Sequence, residues 1–175
     1  MFSDPKNNIR QFQLEPGINV ADLGAGSGFY SLAVAKEIGE GGKVYAVDIQ
    51  KDLLQKIKNA ANEEHIYNIE VIWGDIESEN GTKLKDESMD AVIISNILFQ
   101  IEKKEDFLKE ARRILKPKGK ALFIEWKDSY AGMGPSKEKI FVEKEAKDIF
   151  DKIGFYIEKE ISAGEHHYGF ILRKK

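Results

Sequence analysis

The chain has 175 residues, 42% hydrophobic and 33% charged, with 27 basic against 30 acidic side chains and a formal net charge of -3. That length suits one domain, residues 1–175, with a full core, and the slight acidity argues against a dedicated nucleic-acid binder. Cysteine is absent, which excludes disulfides, cysteine zinc sites and thiol nucleophiles.

Residues 1–16 are polar and run into the turn signal Glu15-Pro16-Gly17. They read as an N-terminal arm or cap, with Arg10-Gln11-Phe12 as a short helix. There is no signal-peptide pattern and no run long enough to span a membrane, so a cytoplasmic, membrane-free protein is expected. Ile18–Leu23 reads as a strand buried on both faces. Gly24, Gly26 and Gly28 follow, where the backbone turns tightly and a ligand approaches closely. A helix is expected from Ser27 to Ile38, its first N–H groups lying over the loop as a site for a carboxylate or phosphate. The glycine spacing departs from the dinucleotide fingerprint, because Phe29 stands where its third glycine would be. Asp22, just ahead of the loop, would repel a pyrophosphate but suits a cationic ligand end.

Gly39 to Gly42 stop that helix, and Lys43–Asp48 reads as a second strand. Asp48 lies about twenty residues beyond the loop, where a strand-end acid accepts hydrogen bonds from a ribose diol. Ile49 and Leu53 follow toward the same ligand. Residues 50–64 carry a helical stripe, Leu53, Leu54, Ile57 and Ala61. The third strand is Ile69–Trp73, ended by Gly74-Asp75-Ile76. After a polar loop at 77–88 comes the most strand-like run, Met89–Ser95, followed by Asn96. A helix over Lys103–Leu115 is stopped by Lys116-Pro117-Lys118-Gly119, and the fifth strand is expected over Lys120–Trp126.

The glycine- and proline-bearing stretch 127–136 leaves the carboxyl end of that strand. It reads either as a lid with Trp126 and Tyr130 as walls or as an ordinary crossover. Phe141–Ile153 is the last helix. Phe155–Ile161 and His167–Arg173 are joined too tightly for a helical crossover, so they pair antiparallel. His166 and His167 point to opposite faces and are poor joint metal ligands. A structural or exposed role suits them better, although either could serve as a base.

The pattern Asp22-x-Gly24-x-Gly26-x-Gly28, combined with Asp48, Gly74-Asp75, Leu115-Lys116-Pro117-Lys118-Gly119 and the terminal hairpin, resembles class I S-adenosylmethionine (SAM) methyltransferases. Within them it is nearest the type 11, ubiquinone/menaquinone-methyltransferase-like group. The resemblance covers Pro16 to Arg173. It implies an α/β, Rossmann-like doubly wound sheet of order 3-2-1-4-5-7-6 with strand 7 antiparallel. It also implies SAM as cofactor, S-adenosylhomocysteine as product, and no metal. The residues that would hold SAM are Asp22, Gly24, Ala25, Gly26, Gly28, Phe29, Tyr30, Asp48, Ile49, Leu53, Gly74, Asp75, Ile76, Ser95 and Asn96. Asp48 would take the ribose, Asp75 the adenine amino group, and Ile76 would pack on the ring. Asn96, Trp126 and Tyr130 are the candidates nearest the acceptor. Many relatives carry a histidine near Phe99 or Gln100; this chain does not, which weakens any proposal of a histidine general base there.

The implied reaction is direct in-line displacement, in which orientation and exclusion of water do most of the work. A small-molecule acceptor is the first expectation. RNA or protein methylation at an open site, and a non-catalytic SAM- or NAD-binding module, are the alternatives. Three arrangements could complete the acceptor side: the 127–136 loop, the second subunit of a homodimer, or a macromolecule lying on an open face.

Overall fold

The computed structural model describes residues 3–130 and 132–175. Its centre is one seven-stranded sheet of order β3-β2-β1-β4-β5-β7-β6. The strands are β1 (Asn19–Leu23), β2 (Lys43–Asp48), β3 (Ile69–Trp73), β4 (Met89–Ser95), β5 (Leu115–Trp126), β6 (Phe155–Ile161) and β7 (His167–Lys174). β1 to β5 are mutually parallel, whereas β7 runs antiparallel to both β5 and β6. The expected order and the reversed last strand are both found.

Helices cover both faces, as a largely parallel sheet requires. They are α1 (Pro5–Phe12), α2 (Phe29–Ile38), α3 (Lys51–Glu63), α4 (Lys104–Ile114) and α5 (Glu143–Ile153). Alternation along the strands divides the core in two. Ala121, Phe123, Phe170 and Leu172 face Phe107 and Phe150 of α4 and α5. Leu122, Ile124 and Ile171 face Ile9 and Phe12 of α1 and Val34 and Ile38 of α2. The Phe123 ring lies edge-on to Phe150, with centroids 4.8 Å apart. Truncating such a fully buried aromatic costs about 3–5 kcal/mol.

Three segments differ from the sequence expectation. The arm is a packed helix. Asp4 caps it by accepting the Lys6 amide at 3.0 Å, Phe12 is buried, and the Asn8 side chain donates to the Tyr30 hydroxyl at 2.8 Å. Lys116 to Gly119 do not form a turn ahead of the fifth strand. β5 already pairs at Leu115 with Met89 and resumes at Lys120 with Ala91, so the motif is an arch within one strand. Proline cannot donate to the ladder, and Lys118 sits at φ +63°, so these residues bulge out. Lys116 reaches back to Asp90 at 2.7 Å. The polar loop at 77–88 is held to α4: buried Glu110 accepts the Thr82 hydroxyl at 2.6 Å and the Arg113 guanidinium at 2.7 Å.

Candidate functional site

A cleft of about 710 Å³ opens at the carboxyl ends of β1, β2, β3 and β4. This is the edge where open α/β sheets bind ligands, and the volume suits a nucleoside-sized molecule and a partner. Of the residues expected from the sequence, Asp22, Gly24, Ala25, Gly26, Phe29, Tyr30, Asp48, Ile49, Leu53, Asp75, Ile76, Ser95 and Asn96 line it. Gly28, Gly74, Trp126 and Tyr130 are outside the lining.

The glycine loop is built differently from a cradle of free amides. Gly24 and Ala25 both donate to the Val47 carbonyl, at 2.9 and 3.0 Å, and Gly28 donates to the Ala25 carbonyl at 2.9 Å. The Gly26 amide goes to Asp48 Oδ2 at 2.9 Å. The loop is thus welded to the end of β2, with the Gly24, Ala25 and Gly26 amides all bonded to that strand. The glycines have separate reasons. Gly28, at φ +82°, would drive a Cβ to 2.6 Å from the Ile57 side chain, whereas at Gly26 a Cβ would meet only the Gly24 carbonyl at 3.9 Å. Gly28 serves the packing of α2 on α3; Gly26 faces the cleft. Gly74 belongs to packing too, because a Cβ there would lie 2.3 Å from the Gly81 carbonyl.

Two strand-end acids face the cleft. Asp22 is almost fully buried and accepts the Ser31 hydroxyl at 2.6 Å. Burial pushes its carboxyl up to about 6, against the opposing pull of the Ser31 hydrogen bonds. Asp48, 7% exposed, accepts Gly26 on one oxygen and the Gln50 amide, at 2.8 Å, on the other. Each carboxylate oxygen has room for a second donor, so both acids can still receive ligand hydrogens. Asp75 is exposed, accepts the Glu77 amide and the Ser78 hydroxyl, and so closes the turn after β3.

The opposite wall is the segment after β4. Asn96 holds a left-handed backbone at φ +53°, and its amide donates to the Ile124 carbonyl at 2.8 Å. Its side-chain oxygen is buried without a hydrogen-bond partner. A cleft-lining, non-glycine residue in this conformation, with a buried unsatisfied polar atom, marks a site more than a scaffold. Ser3, Pro5, Gln50, Glu77, Ile97, Gln100 and Ile101 also line the cleft, and sequence reasoning did not find them as site residues. Ser3 and Pro5 arrive only because α1 folds back over the sheet. Ile97 and Ile101 belong to no motif that would mark them.

Trp126 and Tyr130 gather elsewhere. The Trp126 ring contacts His167 with centroids 4.1 Å apart, Tyr130 stacks on His166 at 4.3 Å, and His166 meets Asp128 at 2.6 Å. Gly134 presses on the face of Trp126. This stretch therefore packs against the start of β7. His167 is buried, and burial pushes its imidazole down to about 4, which keeps it neutral.

The donor set fits SAM: a buried acid for an ammonium, a strand-end acid for a ribose diol, and Ile49, Leu53 and Ile76 for the flat faces of adenosine. Among the described residues, no group of three or more His, Cys, Asp and Glu side chains is placed to hold a metal ion. No described helix is long and apolar enough to cross a membrane.

Comparison with known proteins places the class. The family model described as a methyltransferase domain matches residues 14–156, and the chain belongs to that family. A demethylmenaquinone methyltransferase of Bacillus mycoides is 30% identical over 122 residues, covering 69% of this chain and 49% of the relative. The chain thus spans about half the length of the curated relatives it matches. A SAM-dependent methyltransferase from Aquifex aeolicus superposes with a TM-score of 0.90 at 27% identity, covering 99% of this chain and 91% of that one. The 4+2 cyclase SpnF superposes with a TM-score of 0.78 at 15% identity, over 92% and 76% of the two chains; that likeness concerns the fold alone.

Proposed function

We propose that this chain binds SAM in the cleft and transfers its methyl group to a small acceptor that is not an anion. The observation that carries the reading is the convergence of Asp22, Asp48, Asp75 and Asn96 on one cleft at the strand ends. Bound SAM would supply a methyl group already activated for attack by its sulfonium. Asp22 would hold the ammonium, Asp48 the ribose diol, Asp75 the adenine amino group, and Ser95 and Asn96 would stand beside the reacting atoms. In this reading the protein's contribution is orientation, with α1 and the segment after β4 keeping water out.

The charge of the lining supports the acceptor class. Its charged residues, among those described, are Asp22, Asp48, Asp75 and Glu77; no lysine, arginine or histidine lines it. The Glu77 carboxylate is taken by the Glu102 and Lys103 amides. An acceptor bearing a carboxylate or phosphate would find no cationic side chain in this lining, so an anionic acceptor is disfavoured. The name of the curated relatives, demethylmenaquinone methyltransferase, also supports a small-molecule acceptor.

Calorimetry with SAM, S-adenosylhomocysteine and NAD is the first test, followed by transfer of a labelled methyl group from SAM into fractionated cell extract. Binding of NAD without SAM would sink the proposal. Tight SAM binding with no labelled product would favour a sensor over an enzyme.

A further inference from the structure

Glu125, one residue before the end of β5, is fully buried. Its carboxylate receives backbone amides: Oε2 accepts Phe99 at 3.2 Å and Oε1 accepts Trp126 at 2.9 Å. The Leu98 amide also bonds to it. No described lysine, arginine or histidine forms an ion pair with it. A buried carboxylate without a direct ion-pair partner is costly, and a neutral residue of similar shape would fill the position. The amides it holds belong to the segment after β4, in which Asn96, Ile97, Gln100 and Ile101 line the cleft.

We infer that Glu125 is a positioning residue for the proposed methyl transfer: its carboxylate fixes the segment 96–101 and so sets the wall of the cleft opposite the glycine loop. The inference rests on the function proposed above. The segment is pinned at three points. Asn96 hangs on the Ile124 carbonyl, Leu98 and Phe99 hang on Glu125, and Lys104 closes the far end by donating to the Ile101 carbonyl at 2.6 Å. Ile97 then lies directly over Gly24: its Cδ1 would be 2.8 Å from a Cβ there. Releasing Glu125 removes the middle pin, and Ile97 and Asn96 lose their register against the loop that would hold SAM.

Burial pushes the Glu125 carboxyl up to about 7, despite the amides that favour its charged form. The groups that bear on it come from two elements. From α4, the Lys104 ammonium draws its carboxyl down. From β7, Tyr168 faces it in register, with its phenol donating to the Phe141 carbonyl at 2.5 Å, and Glu143 and Glu145 of α5 bear on that phenol. Protonation exchanges one acceptor for an O–H donor that faces an amide N–H, so the middle pin weakens as pH falls through neutrality.

Two measurements on the wild-type chain and Glu125→Gln test this. The first is hydrogen exchange of the Phe99 amide; the second is calorimetric affinity for S-adenosylhomocysteine between about pH 6 and about pH 8.5. In the wild type, Phe99 protection and affinity should both fall about tenfold or more on acidification, the scale of one lost charged hydrogen bond. Glu125→Gln should hold the weakened values throughout. Asp22 also titrates in this range, but it does so in both proteins, so their difference reads Glu125. Equal pH profiles, or Phe99 protection that ignores pH, overturn the inference. Should the variant fail to fold, wild-type Phe99 exchange followed beside the carboxyl-13C titration of Glu125 decides the same point. Absence of S-adenosylhomocysteine binding in both proteins counts against the proposed function, and Phe99 exchange then decides the positioning role alone.

Discussion

Asp48 accepts the Gly26 amide at 2.9 Å, so the acid at the end of β2 and the glycine loop after β1 form one rigid unit. Asp48 is also buried and caps two backbone amides, so it serves the fold as well as a ligand. Asp48→Ala should therefore weaken S-adenosylhomocysteine binding by tenfold or more and also cost about 1–3 kcal/mol, because two backbone donors lose a charged partner. Calorimetry and urea unfolding check the two halves separately. A loss of affinity without loss of stability would return Asp48 to a purely ligand-facing role.

Gly26→Ala and Gly28→Ala should separate binding from folding. Both glycines have positive φ, so each variant carries about 1–2 kcal/mol of backbone strain. Only Gly28→Ala also forces a methyl group into the fully buried Ile57, at a further cost of about 1–3 kcal/mol. The thermal midpoint of Gly28→Ala should be clearly the lower of the two. Equal midpoints would mean that α2 slides on α3 without penalty.

Asp22 makes the protein pay stability for its site. Its carboxyl, raised to about 6 from an ordinary 3.8, binds more protons folded than unfolded between those values. Its contribution is thus fully present below about pH 4 and is lost as pH rises through about 6, a cost on the order of 3 kcal/mol at pH 8. Asp22→Asn should raise the urea midpoint at pH 8, change it little at pH 4, and abolish high-affinity SAM binding. A variant less stable than wild type at pH 8 would contradict this account of the buried charge.

The Asn8–Tyr30 contact ties α1 to α2. Asn8→Ala removes the 2.8 Å hydrogen bond to the Tyr30 hydroxyl, which keeps Ser3 at 3.4 Å, and should cost about 0.5–1.5 kcal/mol. Limited proteolysis should then cut within residues 3–14 before the rest of the chain. An unchanged cleavage pattern would show that Ile9 and Phe12 alone hold the helix down.

Much of the architecture was legible in the chain itself. The largely apolar runs at 18–23 and 89–95, the glycine spacing and the short 155–174 hairpin specify a parallel sheet with a reversed last strand, because local periodicity and loop length constrain those choices. Asp22 and Asp48 stood out as strand-end acids for the same reason. What needed the tertiary structure was anything set by distant neighbours. That the Gly24, Ala25 and Gly26 amides bond to Val47 and Asp48, that Lys116–Gly119 arch out of β5, and that Trp126 and Tyr130 turn toward His167 and His166 all depend on contacts far apart in sequence. Glu125 is the sharpest case: in the chain it is one acid near a strand end, and only folding brings Leu98 and Phe99 to its carboxylate.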